Sequence, residues 1–168
     1  KQRIHEMRRA TDKPFNLNFF LHQPPRYDED LDVQIKSLIA PFYDELGLRF
    51  PKDTASNGLA TFDSERLAVL VQERPAMVSF NFGCPAVEVI DALKAVDIVT
   101  AATATTVREA VALETVGVEI VVAQGWEAGG HRGSFATNFE DTGIGTLALV
   151  PQIVDAIEIP VVAAGGIG

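Results

Sequence analysis

The stretch VEIVVAQGWEAGGHRGS, residues 118–134, carries the pattern from which the fold can be predicted. It opens with a near-continuous apolar run, 118–123, of the kind that forms strands buried on both faces of a parallel sheet. The run passes directly into a loop that holds four glycines and one histidine. A buried strand that ends in a polar, glycine-rich loop predicts a parallel α/β protein with functional residues at its strand ends.

Four further apolar runs lie along the rest of the chain, at 15–21, 76–82, 97–102 and 160–164, and all but the first of these are likewise near-continuous. Stretches with apolar residues at helical spacing separate most of them, at 64–73, 85–95, 106–116 and 147–157. The third stretch begins with a capping pattern, Thr105 or Thr106 followed by Glu109. This alternation predicts a parallel sheet covered by helices.

The interval 22–62 does not follow this alternation. It contains two prolines at 24–25, acidic residues between 28 and 32, a helical stretch at 33–46, and Pro51. We interpret it as an elaborated crossover, with the acidic group as a solvated loop and helix start. Residues 1–168 are therefore predicted to form a single domain.

The residues at the strand ends favour a closed barrel over an open doubly wound sheet. The Gly-x-Gly-x-x-Gly fingerprint that open dinucleotide-binding sheets carry after their first strand is found after none of the apolar runs. Polar or glycine residues instead recur at one strand end after another, at Asn18, Gly83, Thr103, Gln124 and Gly165. Functional residues contributed by many strand ends are typical of the (β/α)8 TIM barrel, which is the predicted fold class.

Composition limits the partners and the compartment. A formal net charge of -9 and an isoelectric point near 4.7 make the surface repel nucleic acid and anionic lipid, so we expect neither as a partner. No apolar run approaches the ~20 residues that cross a bilayer. The single cysteine, Cys84, excludes an internal disulfide and fits a reducing, cytoplasmic location. The chain starts inside a helical pattern and stops at a glycine turn, so we expect it to be part of a longer polypeptide.

His131 is the candidate catalytic residue. It is the one ionisable group of its loop whose ordinary pKa lies near neutrality, which suits a general base. The glycines around it allow close approach of a ligand, and their amides can bind an anion. The alternative is a structural histidine bonded to a backbone carbonyl. His5 is expected to be exposed on a polar helix, whereas His22 follows a strand end and could line the site.

Other strand ends offer further candidates. Gly165-Gly166 closes a small-residue strand and suits a phosphate contact through backbone amides. Asn18, set among aromatic residues, is either a ring-binding group or a turn former. Cys84 has no evident partner base and is interpreted as a packing or wall residue. The scattered histidines give no metal-ligand spacing, so no metal site is predicted.

At these residues the chain closely resembles the nitronate monooxygenases, formerly called 2-nitropropane dioxygenases. The most specific shared motif is Gln-Gly-x-Glu-Ala-Gly-Gly-His-x-Gly at 124–133, and four supporting segments lie at 13–18, 79–85, 149–155 and 163–167. The resemblance runs in order over essentially the whole chain. It implies an FMN-binding TIM barrel, of which this sequence covers roughly strands two to six.

The resemblance also implies roles. His131 would be the base, and FMN would be contacted by Asn18, Gln124, Gly129, Gly130, Gly165 and Gly166. The reaction would be the oxidation of an alkyl nitronate by FMN and O2 to a carbonyl compound and nitrite. Two alternatives stay open: an FMN-dependent enoyl-acyl carrier protein reductase, whose loop is very similar, and a non-catalytic fragment of such a barrel. The sequence leaves Arg132 either paired with Glu127 or facing solvent.

Overall fold

The computed structural model describes residues 1–22, 28–50, 62–136 and 142–167. Five strands run through them: β1 (Asn16–Phe20), β2 (Met77–Asn81), β3 (Val99–Ala104), β4 (Ile120–Gln124) and β5 (Val161–Ala164). The helices are α1 (Gln2–Ala10), α2 (Glu29–Glu45), α3 (Ser64–Glu73), α4 (Val87–Lys94), α5 (Val107–Thr115) and α6 (Thr146–Val154).

All five strands form one parallel sheet whose spatial order, β1-β2-β3-β4-β5, is also the order along the chain. A doubly wound sheet reverses its strand order at a switch point, and this sheet has no reversal. Sequential parallel strands with intervening helices are the arrangement from which a (β/α) barrel is built. The predicted fold class is therefore confirmed, and the number of strands agrees with the range from two to six.

The two faces of the sheet differ because successive side chains of a strand point to opposite sides. One face packs on the helices and forms a core that includes Val78, Phe80, Ala102, Val121 and Ala123 with buried residues of α4, α5 and α6. The alternate residues therefore lie on the face turned away from the helices, and they include Asn18, Ser79, Asn81, Thr103 and Gln124. The polar candidates thus share the face that the helices leave uncovered.

Several element boundaries differ from the prediction, and two of the differences have a clear local reason. α2 begins at Glu29 rather than at 33, because the Asp28 side chain accepts from the Leu31 N–H and caps the helix. β3 begins at Val99 rather than at 97, because Asp97 takes a positive φ of 61° in the turn that ends α4. The Ile98 N–H still bonds to a carbonyl of that helix.

The chain groups into two compact units, one of residues Lys1–His22 and Phe62–Gly168 and the other of Gln23–Thr61. The second unit holds α2, which has no buried residue. The prolines at 24–25 and 51 lie outside the described residues, so the interpretation of 22–62 as a crossover within a single domain stays a prediction. Among the helices described, none is both long enough and apolar enough to cross a membrane.

Candidate active site

The loop after β4 carries His131, and the Gln124 side chain shapes it. Gln124 Nε2 donates to the carbonyl oxygen of His131 (3.0 Å), and Gln124 Oε1 accepts from the backbone N–H of Gly133 (2.7 Å). Gly133 is buried, and a Cβ there would overlap Asn81 Oδ1. One carboxamide therefore holds the backbone at and beyond His131, and only glycine fits at 133.

Arg132 holds the same loop from within. Its Nη1 donates to the carbonyl oxygens of Gln124 and Gly125 (2.6 Å each), and its Nη2 donates to the carbonyl oxygen of Thr142. The sequence left a salt bridge to Glu127 or a solvent-facing position open. The structure instead shows a half-buried guanidinium that ties the end of β4 to the segment before α6.

Glu127, in the first turn of the loop, caps α6. Its Oε2 accepts from the Thr146 N–H (2.8 Å) and lies 2.9 Å from the Thr146 hydroxyl. These hydrogen bonds, above all the one from the Thr146 backbone, lower the pKa of Glu127 below its usual range. A carboxylate also interacts favourably with the positive end of a helix dipole. The loop after β4 is thereby joined to the helix that comes after it.

We expect Glu127→Gln to flatten the acid side of the stability profile. The folded-state pKa is lowered, so the unfolded chain binds the proton more readily. Glu127 therefore stabilises the fold above its unfolded-state pKa of about 4.3, and this contribution is lost as the pH falls below that value. Urea midpoints at neutral and acidic pH measure the slope. Glu88→Gln, in the first turn of α4, is the control, and an equal change of slope in both variants would contradict the prediction.

A cluster of rings lies beside His131. The Phe82 ring stacks on His22 with centroids 4.5 Å apart, meets His131 edge to face at 5.9 Å, and contacts Phe20 at 5.0 Å. Phe82 has a φ of 66°, a left-handed conformation that is unusual for an aromatic residue. Backbone strain of this kind at a strand end is typical of ligand and active sites. The Phe82 ring therefore lies between His22 and His131 and contacts both of them.

The His131 side chain is exposed at the mouth of this cluster. Among the residues that the structure describes, none hydrogen-bonds to its imidazole, and its recorded contact is the Phe82 ring. The alternative of a histidine bonded to a backbone carbonyl is therefore not what these residues show. In the described part of the chain, neither ring nitrogen of His131 has a hydrogen-bond partner. The imidazole can therefore accept a proton from a bound molecule.

The glycine pairs differ from each other. A Cβ at Gly129 or Gly130 would meet no atom of the described residues within 4 Å, so the backbone there borders space that these residues leave open. A Cβ at Gly165 would lie 2.7 Å from the backbone nitrogen of Ala128, and φ at Gly165 is 116°. Gly165 therefore lets the loop after β4 pack on the end of β5. Gly129 and Gly130 leave room for a ligand instead.

Asn18 lies apart from the loop residues. It is the third residue of β1, not its end, and its Oδ1 accepts from Ser79 Oγ (2.9 Å), which also accepts from Asn16 Nδ2 (2.7 Å). It shares the uncovered sheet face with Gln124, but no contact joins the two. Its part in binding a cofactor stays a prediction. The described residues contain no group of three His, Cys, Asp or Glu side chains that could hold a metal ion.

Glu109 makes more contacts with the loop after β4 than the sequence indicated. Glu109 is fully buried, and beyond the helix cap that was predicted it accepts hydrogen bonds from Phe135 and Ala136 in the loop after β4. The signal available in the sequence is that Glu109 stands four residues before Leu113, on the face of α5 that packs on the core. A carboxylate on such a face is rarely buried unless it has partners.

A parallel sheet in sequential order, with a histidine loop at its carboxyl edge, defines a protein of the (β/α)-barrel class. The nitronate monooxygenase family model matches residues 1–168. A nitronate monooxygenase from Paraburkholderia phytofirmans is 44% identical over 167 residues, which are 98% of this chain and 45% of that protein. The chain belongs to the nitronate monooxygenase family and spans a little under half the length of this relative.

Solved structures agree with this assignment. A nitroalkane oxidase from Streptomyces ansochromogenes is 38% identical with a TM-score of 0.84, and the match covers 99% of this chain and 47% of that one. FabK from Thermotoga maritima is 26% identical with a TM-score of 0.63, and the match covers 99% of this chain and 38% of that one. The chain is thus more similar to the nitroalkane oxidase in both sequence and fold.

Proposed function

We propose that this chain carries the catalytic loop of an FMN-dependent enzyme that oxidises alkyl nitronates, and the nitroalkanes from which they form, with O2. The observation that carries the proposal is the His131 imidazole, which is exposed, lacks a hydrogen-bond partner among the described residues, and stands on a backbone that Gln124 and Arg132 hold in place. Membership of the nitronate monooxygenase family supports the reaction class.

The residues present fit a flavin. The open space beside Gly129 and Gly130 lets a ligand approach the backbone amides, which can bind a phosphate or a ring carbonyl. Gln124 uses one donor and one acceptor on the loop, so its second N–H and second lone pair can face a cofactor. We assign Asn18, Gly165 and Gly166 to the same cofactor, on the resemblance to the family.

These groups would have different roles in the proposed reaction. Bound FMN would supply the redox chemistry between the nitronate and O2, which no side chain can perform. Neutral His131 would remove the proton on the carbon that bears the nitro group. The resulting imidazolium would then stabilise the anionic nitronate electrostatically. The Phe82 ring, which contacts His131 and stacks on His22, would form an aromatic wall beside the substrate.

The proposed partners are small: a nitronate or nitroalkane, and O2. The single cysteine fits a reducing compartment and supports a cytoplasmic location. An enoyl-acyl carrier protein reductase remains the second candidate on the similarity of the loop, and it would need NAD(P)H and an acidic carrier protein. The net charge of -9 suits an acidic partner poorly.

A visible spectrum followed by oxygen uptake with ethylnitronate, with and without NADH, tests the proposal. A flavin spectrum with NADH-independent oxygen consumption and nitrite release is the expected result. Rapid bleaching of the flavin by NADH without nitronate turnover would overturn it in favour of the reductase. A protein that binds no flavin would indicate a non-catalytic barrel fragment.

A further inference from the structure

Glu109, in the first turn of α5, binds two separate segments with its two carboxylate oxygens. Oε2 accepts from the N–H and the hydroxyl of Thr105 (2.7 Å each). Oε1 accepts from the N–H groups of Phe135 (2.8 Å) and Ala136 (2.9 Å), 26 and 27 residues away. The side chain is fully buried, so these four bonds replace the water that an ionised carboxylate would otherwise require.

Capping of α5 accounts for only half of this arrangement. Two other glutamates bind a threonine N–H and hydroxyl through one oxygen: Glu119 binds Thr100, and Glu127 binds Thr146. Glu109 makes the same pair of bonds and adds a second pair to the catalytic loop. A helix cap does not require that second pair.

The second pair of hydrogen bonds, from Phe135 and Ala136, adds a further anchor to the loop that carries His131. Gln124 fixes the backbone at 131 and 133, and Glu109 fixes it at 135 and 136. Between them the Ser134 hydroxyl lies 3.0 Å from the Thr105 hydroxyl, itself a partner of Glu109. Residues 131–136 of the loop are therefore anchored both to the end of β4 and to the start of α5.

Electrostatic attraction between Arg132 and Glu109 supports the same anchoring of the loop. Burial lowers the pKa of the Arg132 guanidinium, and the carboxylates of Glu109 and Glu127 oppose this effect. Arg132, in the middle of the loop, therefore stands in the field of the buried Glu109 carboxylate. A buried charge is tolerated when it is hydrogen-bonded and has an opposite charge nearby.

We propose that Glu109 is a positioning residue for His131: its carboxylate fixes residues 135–136 and thereby holds the imidazole where it can remove a proton from a nitroalkane. The inference rests on the proposed function of His131 as a base. Catalytic groups need placement within about 0.5 Å, and a displacement of about 1 Å can lower a rate roughly 100-fold.

Glu109→Gln tests this in the flavin-loaded protein, because an amide keeps the size of the side chain but places an NH2 group against backbone donors. The matched control is Glu119→Gln, which loses the same kind of contact to a threonine at the opposite end of β3 and β4. We expect Glu109→Gln to lower kcat/KM for nitroethane by roughly 10- to 100-fold and largely to spare ethylnitronate, which needs no proton removal. Glu119→Gln should spare both, and Glu109→Gln should add nothing in a His131→Asn background.

Hydrogen exchange gives a readout that does not depend on turnover. In the unsubstituted protein the amides of Phe135 and Ala136 should exchange far more slowly than those of Gly129 and Gly130, and Glu109→Gln should remove this protection. Equal losses for nitroethane and ethylnitronate, or unprotected amides in the unsubstituted protein, would overturn the inference. The exchange rates of the Phe135 and Ala136 amides in the unsubstituted protein require no variant. They can therefore overturn the inference even if Glu109→Gln does not fold. Protected amides in a protein without nitroalkane turnover would refute the proposed function while leaving the anchoring of the loop intact.

Discussion

Replacement of His131 by Asn is expected to lower kcat/KM for a neutral nitroalkane by roughly 10²- to 10⁴-fold, the usual contribution of a general base. Asparagine keeps a polar side chain of similar reach but cannot accept a proton near neutral pH. Preformed nitronate has already lost that proton, so its oxidation should fall much less. Steady-state oxygen uptake with nitroethane and with ethylnitronate, at one pH, gives the two values directly.

The control for His131→Asn removes a histidine elsewhere. His5 lies on α1, where its Nε2 is 3.1 Å from a carboxylate oxygen of Glu73, far along the chain from the loop. His5→Asn should leave both activities unchanged. If His131→Asn lowered nitronate and nitroalkane turnover to the same extent, His131 would bind the substrate or the flavin and would not be the base.

Gly125→Ala is expected to produce the largest loss of stability of any single change in the loop. Gly125 is buried directly after β4, and a Cβ there would overlap Thr146 Oγ1 and lie 2.5 Å from the Thr146 backbone nitrogen. The start of α6 would have to move, and overpacking of this kind costs about 3 kcal/mol. Urea unfolding of the flavin-free protein measures the free energy of unfolding.

Gly129→Ala is the matched control, because the same methyl group at that position meets no atom within 4 Å among the residues that the structure describes. Its free energy of unfolding should stay within about 0.5 kcal/mol of the unsubstituted protein. Its affinity for flavin should nevertheless fall, since the methyl group would occupy the space through which a ligand reaches the amides. Equal stability losses for Gly125→Ala and Gly129→Ala would contradict the packing that the structure shows around Gly125.

Periodic patterns were sufficient to predict the layout of the sheet. All five apolar runs became strands, and the helix predicted at 64–73 has those bounds in the structure. Such patterns lie within short windows of consecutive residues, so they can be recognised without knowing which elements pack together. The apolar pattern alone placed the start of α2 at 33, whereas capping by Asp28 starts the helix at Glu29, within the acidic group that was interpreted as a helix start.

The candidate site could be predicted only in part, because its contacts are not local in sequence. The loop was evident from its glycines and histidine, yet the contacts that fix it join residues far apart in sequence. Nothing near Glu109 indicates Phe135, and the carbonyl groups that bind Arg132 are common to every residue type. The positive φ of Phe82 has no sequence signal either, because the usual marker of such a conformation is glycine.

The contact of the Phe82 ring with two imidazoles has a magnetic consequence. Circulating π electrons move the resonances of protons above an aromatic face upfield and those of protons in its plane downfield. His22 lies parallel to the Phe82 ring and His131 lies nearly perpendicular to it, so their ring protons experience different ring-current fields. A proton spectrum should therefore separate the two histidines from each other and from His5. The contact of His131 with the Phe82 ring could then be followed by nuclear magnetic resonance without flavin, substrate or turnover.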